Sequence, residues 1–234
     1  MSNVDTLKQA HNNWVTSMGA WFAGDKVIYR GKDLHRDLKD LQWMGLLLYG
    51  ITGRVFDDTQ LRVFNAMWAF TSFPEPRLWN NRIASLAGTV RSTSTQAMSS
   101  AIAASEASIY GHRPNTRAID YFLRTRIKLE AGELLIDCIK SEFKQYRTIF
   151  GYGRPLNRQD ERNPHFLALL EETGLDDGPH IKLALETEQV LLQGRWRMQV
   201  NITGLAAAFA ADMGLTPRQH HIFLTTVFLA GMPP

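Results

Sequence analysis

Apolar residues recur along most of this chain at intervals of three and four, the spacing that lines one face of an α-helix. Leu41, Met44, Leu47 and Leu48 follow it up to a break from Gly50 to Gly53, and Leu61, Phe64 and Trp68 resume it, which predicts two packed helices. From Met98 to Tyr110 the chain is dominated by Ala and Ser, whose small side chains let a neighbouring helix approach closely, so a buried interface is expected there. The Arg113-Pro114-Asn115 break starts another helix through Ile119, Phe122 and Leu123. After an interruption at Gly132 an apolar stripe follows at Leu134, Leu135, Cys138 and Phe143. Asn163 as cap with Pro164 in the first helical position begins a helix that Gly174 ends, and Thr216, Pro217 and Gln219 have the spacing of a capping box. Strand signal is confined to Lys26-Val27-Ile28-Tyr29, enough for a small hairpin. No internal repeat, low-complexity segment or flexible linker interrupts the pattern.

Composition narrows this picture. With 234 residues and 44% hydrophobic content the chain can bury a core as one domain or two tightly joined ones. A net charge of +3 suits an anionic ligand such as a phosphate or polycarboxylate and falls short of a nucleic-acid footprint. The single cysteine excludes a disulfide framework, and Cys138, in a helical stripe with Leu134, Leu135 and Ile139, reads as a buried structural thiol. The N-terminal MSNVDTLKQAHNN has no apolar signal core, and no charge-free run reaches the roughly 18 apolar residues of a membrane span, so a soluble cytoplasmic protein is expected.

Two segments combine groups that bind anions. In the run from Gly151 to Arg162, glycines let backbone amides approach a phosphate or carboxylate, while Arg154, Arg158 and Arg162 offer forks for bidentate binding. The alternative there is a solvated loop in which Asp160 and Glu161 neutralise the arginines. In the run from Pro74 to Arg82, two prolines fix the backbone beside an acid, two arginines, an indole and two amides. That is either a rigid polar wall or an ordinary loop with Trp79 buried and Asn80 or Asn81 capping the next helix. None of His112, His165, His220 and His221 has a ligand partner at a recognised spacing, so no metal site is expected. The nucleophile elbow, the phosphate-binding Walker loop and paired-cysteine motifs are all missing.

Taken in order, the segments resemble the citrate synthase and citryl-CoA lyase superfamily across nearly the whole chain. Val27-Ile28-Tyr29-Arg30-Gly31-Lys32-Asp33-Leu34 looks like the family's early Tyr-Arg-Gly-x-Asp run. Arg82 through Thr93 and Ser99 through Ala104 are similar to the helix pair before its first ligand-binding turn, with Gly111 ending that pair. Gly151-Tyr152-Gly153 with Asp160-x-Arg162 resembles its Gly-Tyr-Gly-His and Asp-Pro-Arg elements. Val200-Asn201-Ile202-Thr203-Gly204 resembles its Asn-Val-Asp segment, and the last helix through Phe223, Val227 and Gly231 its closing helix.

The resemblance implies an all-α fold with a large helical domain, 1–112 and 200–234, and a small one, 113–199. It implies Claisen or retro-Claisen chemistry between an acyl-CoA thioester and a keto acid, with coenzyme A thioester as co-substrate, and a homodimer without nucleic-acid or membrane partners. Three departures bear on that chemistry. Arg154 stands where the family's loop histidine stands, Thr203 where its aspartate base stands, and Gly111-His112-Arg113-Pro114 replaces its Gly-Pro-Leu-His turn. The final-helix arginine is also missing, with Phe228 nearby.

Catalysis is therefore expected of Arg154, as oxyanion partner, His112 and Asp160, although the resemblance favours the last as a structural partner of Arg162. Substrate binding is expected of Arg158, Arg162, Asn201 and Thr203, and cofactor binding of Gly151, Tyr152 and Gly153. The alternatives are a catalytically degenerate paralogue that binds a metabolite or a longer citrate synthase-like subunit, and repurposed chemistry on a phosphonate or other anion. The chain is shorter than typical family members and ends at Pro233-Pro234, so part of the usual partner-subunit contribution is expected to be absent.

Overall fold

A computed structural model describes residues 3–11, 16–73, 75–154 and 159–233, with the side chains of Asn3, Leu7 and Ala10 also left aside. Pro74, the run from Pro155 to Arg158, and Pro234 lie outside the described residues. Arg158, expected to hold a substrate carboxylate, is among them. The described residues form eleven helices and three short strands, and the chain divides into two compact units, 1–56 and 57–234.

The first unit holds α1 (Asn3–Ala10), an antiparallel sheet of β1 (Gly19–Phe22), β2 (Lys26–Tyr29) and β3 (Lys32–Asp33) in that order, and α2 (Trp43–Thr52). The expected hairpin is present as β1 and β2, with Gly19 opposite Tyr29 and Phe22 opposite Lys26. The turn into β3 places Arg30 and Gly31 at φ of 46° and 82°, a left-handed pair that a tight hairpin demands. Arg30 tolerates this because its carbonyl accepts from the Tyr49 hydroxyl and its Nε donates to the Gly50 carbonyl, both at 2.8 Å. Gly50 does not break the helix as expected. It lies within α2, where the Tyr29 hydroxyl occupies the place a Cβ would take, and the helix stops instead at left-handed Gly53.

The second unit contains α3 (Asp58–Thr71), α4 (Trp79–Thr89), α5 (Ser94–Ala104), α6 (His112–Glu130), α7 (Leu135–Tyr146), α8 (Asn163–Thr173), α9 (Pro179–Gln193), α10 (Ile202–Asp212) and α11 (Pro217–Leu229). At its centre is α10, buried at every position from Gly204 to Ala211 and packed against α6, α8 and α9. A helix apolar on all sides belongs in a core, and its alanines let the neighbours come close. Phe209 of α10 meets Phe64 of α3 and Phe166 of α8 edge-on, and Phe64 meets Phe223 of α11 at 5.3 Å, all four rings fully buried. A satellite core joins Ala84 of α4 and Ala97 and Ala101 of α5 to Met232, as the Ala and Ser run leads one to expect. Cys138 is buried on α7. Helices on both sides of the expected 113–199 boundary, α6 and α10, share one core.

Several expected helix ends are displaced, each for a local reason. The helix expected to reach Tyr110 ends at Ala104, because Ser105 turns its hydroxyl back onto the Ala101 carbonyl (2.9 Å) and its own carbonyl accepts from His112 N–H (2.9 Å). Gly111, at φ 108°, is thus the entry to α6, not the end of α5; Pro114 fits the first turn, where its missing N–H has no partner to lose. Arg162 takes the cap position of α8, since Asn163 donates to the Val200 carbonyl at 2.7 Å. Leu78 does so for α4, with Asn80 and Asn81 buried in its first turn. Gly174 ends α8 in the left-handed conformation, and Thr216 and Gln219 form the expected reciprocal box.

Candidate active-site cleft

The Gly151-Tyr152-Gly153 turn is sewn to the start of α10. Tyr152 bridges Val200, Gly153 N–H donates to the Gln199 carbonyl at 2.7 Å, and Asn201 N–H donates to the Gly151 carbonyl at 2.9 Å. Both glycines have positive φ, 92° and 77°. Asn201, the cap of α10, accepts from Gly204 N–H (3.2 Å) and donates from Nδ2 to the Gly153 carbonyl (2.8 Å), so one side chain closes the helix end and the loop together. Tyr152 points away into the core, beside Tyr121 and Phe122, with its hydroxyl on the Ala184 carbonyl at 2.9 Å. Burial drives its pKa well above the ordinary phenol value, so it remains a neutral donor. Tyr152→Phe is expected to cost about 1 kcal/mol of stability by stranding that carbonyl, measured as a lower urea midpoint at unchanged slope.

Asp160 is buried beneath this turn. Its carboxylate accepts from Arg162 Nε and Nη2, both at 2.8 Å, from Arg162 N–H, and from Ile202 N–H at 3.0 Å. Burial by itself would raise its pKa, but the Arg162 fork and the Ile202 amide outweigh it and hold the group below the usual carboxylate value. With these acceptor positions committed, Asp160 ties loop, Arg162 and α10 together. Arg154 donates to Glu161 and, at 3.2 Å, to the Gln159 carbonyl. That hydrogen bond lowers the pKa of Glu161, whose side chain remains 58% exposed.

Above these residues opens a cleft of about 990 Å³, wholly within the second unit. Its walls bring together the two candidate segments: Arg154, Asp160, Glu161 and Arg162 on one side, Arg77, Trp79, Asn80 and Asn81 on another. Gly111 and Asn115 at the start of α6, and Asn201, Ile202 and Thr203 at the start of α10, complete it. The positive ends of α4, α6 and α10 thus reach the cleft, while α3 and α11 contribute residues from their last turns. Of the arginines, Arg77 pairs with Glu75, Arg162 with Asp160 and Arg154 with Glu161. The neutralising carboxylates foreseen for the loop are therefore present, yet Arg154 still faces the cleft.

His112 is not in the cleft wall. It lies behind Gly111, 1% exposed, and burial lowers its pKa so that it is neutral near pH 7. Its ring is 4.9 Å from that of His221, whose Nε2 is 3.2 Å from Glu106 Oε1. Spacing along the chain gave no sign of this group, because its three members come from the α5–α6 loop, the start of α6 and the second turn of α11.

No family model and no curated protein matches the sequence. Solved structures do match its fold. The citryl-CoA lyase of Hydrogenobacter thermophilus superposes with a TM-score of 0.81 at 17% identity, over 94% of this chain and 84% of that one. The ATP citrate lyase of Methanothrix soehngenii, solved with citrate and coenzyme A, gives 0.73 at 15%, over 100% of this chain and 40% of that one. The citrate synthase of Thermoplasma acidophilum, solved with carboxymethyl coenzyme A and oxaloacetate, gives 0.63 at 14%, over 82% and 50%. The second unit's central α10, the sewn glycine turn and these superpositions agree: the chain has the helical fold of the citrate synthase and citryl-CoA lyase superfamily.

Proposed function

We propose that the cleft binds a coenzyme A thioester and a keto acid, or the adduct of the two, and makes or breaks the carbon–carbon bond between them. The observation that carries this reading is the cleft itself, large enough for a polycarboxylate and the acyl end of a thioester, with three helix N-termini and Arg154 turned toward it in this fold. Solved neighbours hold citrate and coenzyme A, or a coenzyme A analogue and oxaloacetate.

In this reading the ligand's developing enolate oxygen takes the place of Glu161 on Arg154. The freed Glu161 carboxylate accepts the hydroxyl proton of the adduct in cleavage and returns it to the enolate carbon. Asp160, Arg162 and Asn201 position α10, Thr203 donates a hydrogen bond from the helix start, and Arg158 holds a distal carboxylate. The backbone of Gly151 to Gly153 meets the thioester. The segment 113–199 acts as the small lobe of a cytoplasmic homodimer.

The test is to incubate the purified chain with acetyl-CoA or propionyl-CoA and a series of keto acids while following free thiol, and with citryl-CoA while following keto acid release. Turnover is expected, lowered about 100-fold or more in Arg154→Ala, as when an oxyanion donor is removed, and strongly reduced in Glu161→Gln. A second reading, a ligand-binding chain without turnover, is favoured by both cleft carboxylates being held by arginines. It predicts a rise in Tm with coenzyme A or citrate and no reaction. Neither turnover nor stabilisation would overturn both.

A further inference from the structure

Behind the cleft wall, Glu106, His112 and His221 each present one ligand-type atom, and the three atoms lie within 4.8 Å of one another. We propose that this cluster is a binding site for a borderline divalent transition-metal ion, zinc or cobalt in class, with two imidazoles and one carboxylate as ligands.

The local backbone builds the site. Ser105 is fully buried, and its carbonyl accepts from His112 N–H at 2.9 Å, which closes the 105–112 loop and brings Glu106 beside the first residue of α6. Gly111 is required for that closure, since a Cβ there would run into the Ser105 carbonyl. The second turn of α11 then delivers His221 from the opposite side.

Hydrogen bonding fixes which atoms are available. Thr116 Oγ1 donates to the His112 carbonyl at 3.0 Å, so toward His221 Nδ1, at 3.4 Å, it acts as the acceptor. That leaves His221 Nε2 with its lone pair facing Glu106 Oε1 at 3.2 Å. Two acceptors at that separation repel unless a cation lies between them, either a proton or a metal.

His112 favours the metal. It is 1% exposed, and among the described residues neither of its ring nitrogens has a hydrogen-bond partner. A buried lone pair without a partner is costly, and a proton shared by Glu106 and His221 does nothing for it. A metal ion satisfies one of the two nitrogens.

The dimensions fit. Metal–ligand bonds of about 2.0–2.1 Å in a tetrahedron put ligand atoms roughly 3.3 Å apart. The Glu106–His221 pair is already at that spacing, and His112 needs to close by no more than about 1.5 Å, a ring tilt. Phe228, 4.5 Å from the His112 ring, gives the site an apolar wall, and the half-exposed Glu106 leaves its outer side to water as fourth ligand.

The experiment uses the full, tag-free chain, stripped with chelator and titrated with Zn²⁺ alone by calorimetry and with Co²⁺ alone by visible absorption. One ion per chain is expected, with the intense visible bands of four-coordinate cobalt and a metal-dependent rise in Tm. Glu106→Gln and His221→Gln, both at exposed or half-exposed positions, are each expected to weaken binding by at least about 100-fold, more than loss of an outer-shell partner. Their metal-free melting curves check that they fold, and His112→Phe tests the buried ligand while keeping ring volume. Absence of saturable binding by the intact chain would overturn the proposal. Unchanged affinity in the Glu106→Gln, His221→Gln double variant would overturn it equally.

Discussion

Gly204→Ala is expected to destabilise the second unit by about 3 kcal/mol or more, a large share of what holds a domain of this size together. A Cβ on Gly204 would meet the Gly151 carbonyl, with its carbon at 3.2 Å, and Val200 Cγ2 at 2.8 Å. The first obstacle is backbone already fixed by the Asn201 and Gly153 hydrogen bonds, so neither side can yield cheaply. Gly151→Ala meets the same wall from the other side, 2.7 Å from Gly204 Cα, and adds the penalty of φ 92°. The comparison that isolates the steric part is Gly174→Ala, also at positive φ (66°) but with open space where the methyl would go. That substitution should cost only about 1 kcal/mol, the conformational part. Urea unfolding of the three variants checks this, and equal losses at Gly204 and Gly174 would contradict the close approach of turn and helix.

Asp160→Ala has the second largest expected effect, about 3 kcal/mol at neutral pH. Deleting one partner of a buried ion pair leaves the other without compensation, and the lower end of the usual 3–5 kcal/mol applies because Arg162 keeps some solvent access. The sign with pH follows from the lowered folded-state pKa. The carboxylate's contribution is fully present above its unfolded value, about 3.9, and is lost as pH falls through the lower folded value. Wild type and variant should therefore differ most at pH 7 and draw together in urea titrations as pH falls below about 3.9 toward the lowered folded value. A gap that persists at low pH would assign Asp160's effect to packing instead.

Much of the fold was legible because helices with one buried stripe announce themselves. Leu135, Cys138 and Phe143 of the expected stripe lie on α7, while Leu134 is its exposed cap residue, and the Thr216–Gln219 box starts α11. The sheet was half legible: Gly19-Ala20-Trp21-Phe22 carries no alternation because its side chains are largely exposed, so only its partner strand stood out. Helix ends failed where a distant group decided them, as the Tyr29 hydroxyl does for Gly50 or Val200 for Asn163. The candidate loop with its arginines was visible from composition. The Asp160–Arg162 pair was foreseen from the resemblance, but that Arg154 takes Glu161 was not, because Asp160 is buried and already committed to Arg162 and to Ile202 N–H. The Glu106, His112 and His221 group had no sequence signal at all, since ligands drawn from three separate elements share no spacing.

The sewn turn separates two kinds of position. Gly151, Tyr152, Asp160, Asn201 and Gly204 spend their geometry on one another, and a change at any of them is felt by the fold. Arg154 and Thr203 hang from the same few residues of chain but reach into open volume, so their identity can change with little structural penalty. The two positions at which the sequence was expected to depart from the family it resembles, 154 and 203, are of this second kind. A scaffold divided in this way tolerates exchange of the side chains that line the cleft, and Arg154→His with Thr203→Asp should leave the melting temperature near that of the parent.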